Sequence, residues 1–261
     1  MLRTFWNSKS AMNSMQTKLE TISNNLANVN TTGYKKVDVN FEDLLQESLD
    51  RKGYPVSKGG VRNLQTGTGV RVTDITRDLS EGNLMPTDKK TDFAIDGDGI
   101  FKVYRQDGTA AYTRSGDFNI NPNGKLVDYS GNRVSILDEN GNEISDKVVI
   151  SEKNFIMDEK GNIYQNEGER RVKVGTIGVY TALGDKSFKS IGNNLYVPAS
   201  DDVQVTRSNN CDVLQGFLEL SNVDLGQEMS QLIMTQRAFQ LNSTALRTAD
   251  EMWGMANNLK R

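Results

Sequence analysis

The sequence predicts an α+β protein in which long N- and C-terminal helices pair as a coiled-coil-like unit, with an all-β, hairpin-rich domain inserted between them. Apolar residues recur every seven positions at both ends of the chain, which is typical of helices that pack against other helices. Short alternating runs separated by turn residues fill the middle. We therefore expect an N-terminal helix at 1–33, a connecting region at 34–91, a β-rich body at 92–219 and a C-terminal helix at 220–261.

The N-terminal helix carries two apolar rows, and Ser8 alone interrupts the second. We expect the helix to end near residues 28–32, because Gly33 can adopt the left-handed conformation that closes helices. The two rows are Phe5, Met12, Leu19 and Leu26, followed by Met15, Ile22 and Val29.

The C-terminal helix repeats this pattern over a greater length. Ala249 and Ala256 lie three positions after members of the main row, as small d residues would. The residues from Ser221 to Asp224 predict a capping box at its start. We expect the apolar surface to exceed what the body can bury, so that something outside the chain covers it. The main row comprises Leu225, Leu232, Phe239, Leu246 and Trp253.

The opposite faces of both helices are rich in uncharged amides and hydroxyls, among them Asn7, Ser14, Gln231 and Asn242. A solvated helix face normally carries Lys and Glu. Neutral polar groups are cheaper to desolvate if each one finds a partner. We predict that these faces meet other protein chains. The alternative, that the apolar rows pack the two helices against each other in a core of the same chain, must also be true in part.

The sequence between the helices predicts strands, turns and a loop. The run Phe41 to Leu49 predicts a short helical turn, residues 52–69 a flexible loop, and Val70 to Ile75 a strand. An Asp-x-x-Gly-Asn turn begins at Asp128 and recurs twice, which favours type I turns closed by a left-handed glycine. Further strands are predicted at Ile100–Tyr104, Arg133–Leu137, Asn154–Met157 and Val172–Tyr180.

The composition argues against several functions. The net charge of −3 disfavours nucleic acid as a partner, and no apolar run is long enough for membrane insertion. The chain has no histidine and a single cysteine, Cys211, which removes common general bases and metal ligands. The acidic run from Asp92 lacks the ligand spacing of a calcium loop, because its third position is Ala94. We predict no enzyme activity, no cofactor and no metal.

Two terminal segments closely resemble the signatures of the flagellar rod and hook protein family. The N-terminal one spans residues 22–35, and the C-terminal one spans 216–224 together with 236–239. The internal motifs at 67–71, 82–84, 96–101 and 111–116 are similar to those of distal-rod members in order and spacing. The signature positions are Asn24, Asn25, Ala27, Asn28, Gly33, Asn222, Gln236 and Arg237.

The resemblance implies a structural subunit of the bacterial flagellar basal body, in the distal rod. Such a subunit polymerises helically with copies of itself and with other rod and hook subunits, and the apolar rows of its terminal helices are the expected assembly residues. The first fifteen residues lack the apolar segment of a secretory signal, which alone would indicate the cytoplasm. The resemblance instead implies export by the flagellar type III apparatus, to the periplasm or cell wall.

Other functions remain open at this stage. Phe41 and Leu45 resemble the Phe-x-x-x-apolar motif by which early substrates dock at the export gate, and a packed helical turn is the alternative. A proximal-rod or hook subunit would share the terminal signatures. A β domain that binds or cleaves peptidoglycan is the alternative of another class, although a glycan site would usually group its aromatics, which here are 7% of residues and scattered.

Overall fold

The computed structural model describes residues 2–44, 46–48, 65–145, 148–151, 155–167, 170–182, 184, 187–200, 202–208 and 211–258. The chain forms two compact units. The helical unit contains Met1–Leu26, Val37–Thr76 and Asp224–Arg261, and the β body contains Ala27–Lys36 and Arg77–Val223. Two terminal helices and many antiparallel strands confirm the predicted α+β class.

The helices are α1, Leu2–Ala27, and α2, Leu225–Asn258. The strands are short, and in chain order they are β1 Val37–Asp43, β2 Gln46–Ser48, β3 Gln65–Gly67, β4 Val70–Arg77, β5 Leu84–Pro86, β6 Phe93–Asp96, β7 Ile100–Tyr104, β8 Ala110–Thr113, β9 Asn119–Ile120, β10 Leu126–Val127, β11 Arg133–Val134, β12 Ile136–Leu137, β13 Phe155–Met157, β14 Asn162–Glu167, β15 Arg170–Ile177, β16 Val179–Ala182, β17 Phe188–Gly192, β18 Leu195–Pro198, β19 Val205–Arg207, β20 Asp212–Gln215 and β21 Phe217–Glu219.

The start of α2 differs from the predicted capping box. The helix begins at Leu225, and its N-cap is Asp224, whose Oδ1 accepts a hydrogen bond from Gln227 N at 3.0 Å. The Ser221 hydroxyl accepts instead from Val223 N at 3.3 Å, one turn too early to cap the helix. A carboxylate in this position also complements the helix dipole, which favours Asp224 over Ser221 as the cap.

The connecting region is extended where a helical turn was expected. Residues 41–43 complete β1, and β2 follows after Leu44, so the prediction of a helical turn is wrong for the described part of that segment. Apolar and polar residues alternate from Val37 to Phe41, which suits a strand. β3, which lies inside the segment predicted as a flexible loop, pairs with β2. Residues 49–64 lie outside the described part of the chain. The strand predicted at 70–75 is confirmed as β4, which pairs with β1.

The β body contains a nine-stranded and a four-stranded sheet. In the larger sheet the order is β17-β18-β8-β7-β11-β10-β9, and β16 joins β7 to β19. The smaller sheet has the order β12-β15-β14-β13. The strands predicted at Arg133–Leu137 and Val172–Tyr180 are not continuous. Each one is interrupted, at Ser135 and at Gly178, and its two parts belong to different sheets. Gly178 suits such a crossing because a Cβ there would lie 2.9 Å from the Tyr180 ring and 3.1 Å from Leu137 Cδ1.

The hairpin turns form as predicted. Asp128, Asp138 and Asp158 each bond through backbone N–H to the carbonyl of the Asn four residues later, at 2.8–3.0 Å. The glycine of each turn has a φ between 73 and 80° and donates to the carbonyl of the same Asp. This is a type I turn closed by a left-handed residue, which a glycine adopts without steric cost.

The main hydrophobic core lies within the β body. Phe93 packs against Phe118 and Phe155 with ring centroids 6.0 and 6.3 Å apart, and all three side chains are fully buried. A smaller cluster surrounds Tyr112 and Tyr196. Among the described residues, no helix is long and apolar enough to cross a membrane.

Candidate assembly surface

One face of α1 binds strands of its own chain. Asn7 Nδ2 donates to the Gly67 carbonyl at 3.2 Å, and the Ser14 hydroxyl donates to the Val70 carbonyl at 3.3 Å. The Ser10 hydroxyl accepts from Val70 N at 3.3 Å. For Asn7 and Ser14, the prediction that polar helix faces meet other chains is wrong, because strand backbone of the same chain already satisfies both side chains. The expected break in the second apolar row, Ser8, is itself buried.

The row of α2 that was predicted as its main apolar row is only partly covered. Leu232, Phe239 and Leu246 are half-buried, while Leu225 and Trp253, at its two ends, are exposed. The most buried positions of the helix are instead Glu228, Thr235 and Ala249, which share the d row with Asn242. Sequence reasoning identified Ala249 but missed the first two, because a search for apolar periodicity passes over polar d residues.

A second stripe of α2 is apolar and faces solvent. Its members follow a seven-residue spacing along two adjacent rows of the helix. Leu241 is 71% exposed and Met234 is 61% exposed. Contiguous apolar exposure of this kind marks an interaction surface. This stripe comprises the exposed residues Met234, Leu241, Ala245, Met252 and Met255, with the half-buried Ala238 between them.

The N-terminal end of α1 also presents apolar surface. Phe5 and Trp6 are exposed and meet edge to face with ring centroids 6.4 Å apart. Lys9 Nζ lies 5.2 Å from the Trp6 ring centroid. Farther along α1, Met12, Met15, Leu19 and Leu26 are half-buried and Ile22 is fully buried.

Asn25 joins three parts of the helical unit. Its amide accepts from Val37 N at 3.0 Å and donates to the Val37 carbonyl at 2.8 Å, as a neighbouring strand would. It also donates to Glu228 Oε2 of α2 at 3.2 Å. Asn25 is 1% exposed, so this signature asparagine connects α1, β1 and α2 from inside the unit.

A buried cluster of charges holds the beginning and end of the β body together. Glu219 accepts from Lys35 Nζ at 2.6 Å and from the Arg114 guanidinium, and all three side chains are at most 3% exposed. Arg114 also donates to the carbonyls of Ile95 and Gly97. Desolvation lowers the pKa of Lys35 although Glu219 opposes the change. All three residues lie within segments quoted for the family resemblance, but only the structure brings them together.

Two further signature residues secure the same body. Asn222 Oδ1 accepts from Lys36 N at 2.7 Å, and its Nδ2 donates to the Asp78 carbonyl at 3.0 Å. Gly33 has a φ of +65°, and a Cβ there would lie 2.4 Å from Ser115 N. Only glycine fits this close approach.

The other signature residues are more accessible. Asn24, Ala27, Gln236 and Arg237 are exposed, whereas Asn28 is half-buried and its Oδ1 accepts from the Thr31 hydroxyl. Phe41 is half-buried beneath Lys18, whose Nζ lies 5.5 Å from the ring centroid. Leu45, its predicted companion in the export motif, lies outside the described residues.

The described part of the chain contains no group of three or more His, Cys, Asp or Glu side chains placed to hold a metal ion. Cys211 is half-buried and free.

Family models match three segments of the chain. Residues 7–35 match the flagella basal body rod protein model, residues 94–165 match the flagellar hook protein FlgE/F/G D1 domain, and residues 214–259 match the flagellar basal body rod FlgEFG protein C-terminal model.

Whole-length relatives agree with these matches. The chain is 36% identical to the flagellar basal-body rod protein FlgG of Borreliella burgdorferi and 35% identical to that of Bacillus subtilis, over the full length of both chains in each case. It is 32% identical to the flagellar hook-basal body complex protein FlhP of Bacillus subtilis, again over both full lengths.

Proposed function

This chain belongs to the flagellar basal-body rod protein family, and we propose that it polymerises helically with copies of itself to form the distal rod, the hollow shaft that transmits torque from motor to hook. It is a structural protein of the flagellar basal body. Its neighbours in the shaft are other rod and hook subunits. Function then depends on stiffness from interlocked subunits rather than on a catalytic site.

The observation that carries this proposal is the solvent-exposed second stripe of α2. One row of the helix is half-buried within its own unit, and the Met234–Met255 stripe remains for another chain. A subunit that covers such a stripe with a different surface of its neighbour forms a head-to-tail contact, and a head-to-tail contact that does not close produces an open helical filament.

We infer that α1 and α2 pair as a coiled coil within the assembled rod. The hydrogen bond from Asn25 to Glu228 is a polar contact between them, at the C-terminal end of α1 and the N-terminal end of α2. A buried polar contact of this kind fixes the register of a helix pair. The exposed Phe5 and Trp6 supply apolar surface at the other end of α1.

We also propose that Phe41 and Leu45 act in export through the type III apparatus. The Phe41 ring is half-buried against Lys18, so the export gate would recognise it in the unfolded chain. The motif and the folded packing would therefore operate at different times.

The test is electron microscopy of the purified full-length protein under conditions that favour polymerisation. The proposal expects straight rods. Curved filaments would favour a hook subunit, and protein that stays monomeric at high concentration would contradict self-assembly. A Leu241→Asp variant should abolish the rods, since it places a charge on the exposed stripe.

A further inference from the structure

Two aspartates face each other within the β body. Asp92 and Asp117 form an isolated antiparallel bridge immediately before Phe93 and Phe118. Residues directly opposite each other in such a pair project to one side, with Cβ atoms about 4.5–5.5 Å apart. Two carboxylates at that separation repel each other if both are ionised.

Each carboxyl group has a buried oxygen without a hydrogen-bond donor among the described residues, and in both it is Oδ1. Asp92 is 1% exposed, and its other oxygen accepts from the Thr87 hydroxyl at 2.8 Å. Asp117 Oδ1 lies 3.7 Å from Lys89 Nζ, which is too long for a hydrogen bond. Buried acceptors almost always have a donor, so this pair of atoms requires an explanation.

We propose that Asp92 and Asp117 hold a single proton between their Oδ1 atoms and that its loss destabilises the β body. One proton makes one Oδ1 a donor to the other, which satisfies both atoms at once. It also leaves one negative charge in the pair, which Lys89 can neutralise from the exposed side.

The surroundings of Asp92 favour retention of the proton. Burial raises the pKa of Asp92, the Thr87 hydrogen bond and the Lys89 charge oppose the rise, and the Asp117 charge adds to it. The end of β20 contributes only neutral groups here: Gly216 N donates to the Asp92 carbonyl at 2.8 Å, and the Gln215 amide donates to the Lys90 carbonyl. Lys89 and Asp117 are the charged groups that act on Asp92.

The pair lies beside a close approach of two backbone segments. Phe93 N donates to the Gly116 carbonyl at 3.0 Å, and a Cβ on Gly116 would lie 1.6 Å from the Phe93 carbonyl oxygen. Repulsion between the carboxylates therefore acts next to the contact of Phe93 with Phe118 in the main core. This is how a proton on the pair affects the packing of the body.

The sign of the pH dependence follows from the raised pKa of Asp92. The folded state holds the proton more tightly than the unfolded chain does. The resulting stabilisation is complete below the ordinary pKa of an aspartate and is lost as the pH rises through the higher value of the folded protein.

The experiment is a pH titration of the full-length chain with ¹³C-labelled aspartate carboxyls, followed by nuclear magnetic resonance. The proposal expects Asp92 to titrate above the ordinary aspartate range and the Asp117 signal to move in the same step. The thermal midpoint should fall across that step. Titration of Asp92 in the ordinary range, or an Asp117 signal that does not respond, would overturn the proposal.

Variants provide the second measurement. In Asp117→Asn the amide can donate to Asp92 at any pH, so the midpoint should no longer fall across the step. Asp88→Asn is the control: it changes an exposed carboxylate four residues before Asp92, and its thermal midpoint should still fall across the step. An Asp117→Asn protein that retains the full pH dependence would also overturn the proposal. If that variant does not fold, the titration of the wild-type chain decides alone.

Discussion

Asn25 Nδ2 donates to Glu228 Oε2 at 3.2 Å, a contact between residues 203 positions apart in the chain. Replacing Asn25 by Ala also removes both partners from the Val37 backbone, so we expect a loss of about 1–3 kcal/mol in the free energy of unfolding. Amide hydrogen exchange should accelerate at Val37 and in the first turns of α2. Asn13→Ala, at an exposed position of α1, is the control and should leave these amides unchanged.

Glu219→Gln tests the buried charge cluster of the β body. The substitution leaves the Lys35 and Arg114 cations without their shared carboxylate, and removing one partner of a buried pair costs about 3–5 kcal/mol. Denaturant unfolding of the full chain measures the loss. Glu139→Gln is the control, since Glu139 pairs with Lys173 at 3.9 Å and is 74% exposed, and it should change stability by less than about 1 kcal/mol. Equal effects of the two variants would contradict the importance of the cluster.

Local sequence patterns predicted the elements whose cause is local. The Asp-x-x-Gly-Asn turns depend on one carboxylate and one glycine three residues apart, and all three formed as expected. The terminal helices followed from their heptads. The strands at 41–43 and 46–48 were missed because pairing with distant residues of β3 and β4 decides them. Lys35, Arg114 and Glu219 were also missed as a cluster, since a contact across 184 residues leaves no periodic signal in one sequence.

Gly33→Ala should destabilise the β body beyond the cost of its left-handed backbone. Gly33 and Gly108 both have positive φ, which costs an alanine about 1–2 kcal/mol. At Gly108 a Cβ would meet nothing within 4 Å, while at Gly33 it would meet the backbone of Ser115. We expect Gly33→Ala to cost at least about 1 kcal/mol more than Gly108→Ala in denaturant unfolding, because a backbone contact cannot rotate away. Equal costs would show that the segment moves aside.

Lys102 should control the titration of Glu143. Burial by itself would raise the pKa of Glu143, but hydrogen bonds from Lys102 and Tyr104 and the charge of Lys102 outweigh it and hold the pKa below its usual value. The ionised Glu143 carboxylate therefore stabilises the folded protein. This stabilisation is complete above the usual pKa of a glutamate and is lost as the pH falls through the lower pKa of the folded state. Lys102→Met should raise the pKa of Glu143, measured by carboxyl nuclear magnetic resonance. Lys189→Met, which removes an exposed charge from β17, should leave it unchanged.

The two rows of α2 should respond differently to the same charge. Leu241 is 71% exposed, so Leu241→Asp should change the unfolding free energy by no more than about 0.5 kcal/mol while abolishing polymerisation. Phe239 is half-buried within its own unit, and Phe239→Asp should both destabilise the helical unit and abolish polymerisation. Ser230→Asp is the comparison variant, because it adds the same charge to an exposed polar row of the helix that also contains Arg237 and Glu251. Loss of polymerisation in this variant as well would extend the interface to the polar face. Sedimentation of the polymer and denaturant unfolding of the monomer separate these effects. Normal polymerisation of Leu241→Asp would show that the exposed stripe is not an interface, since an aspartate in a desolvated apolar contact would have no partner for its charge.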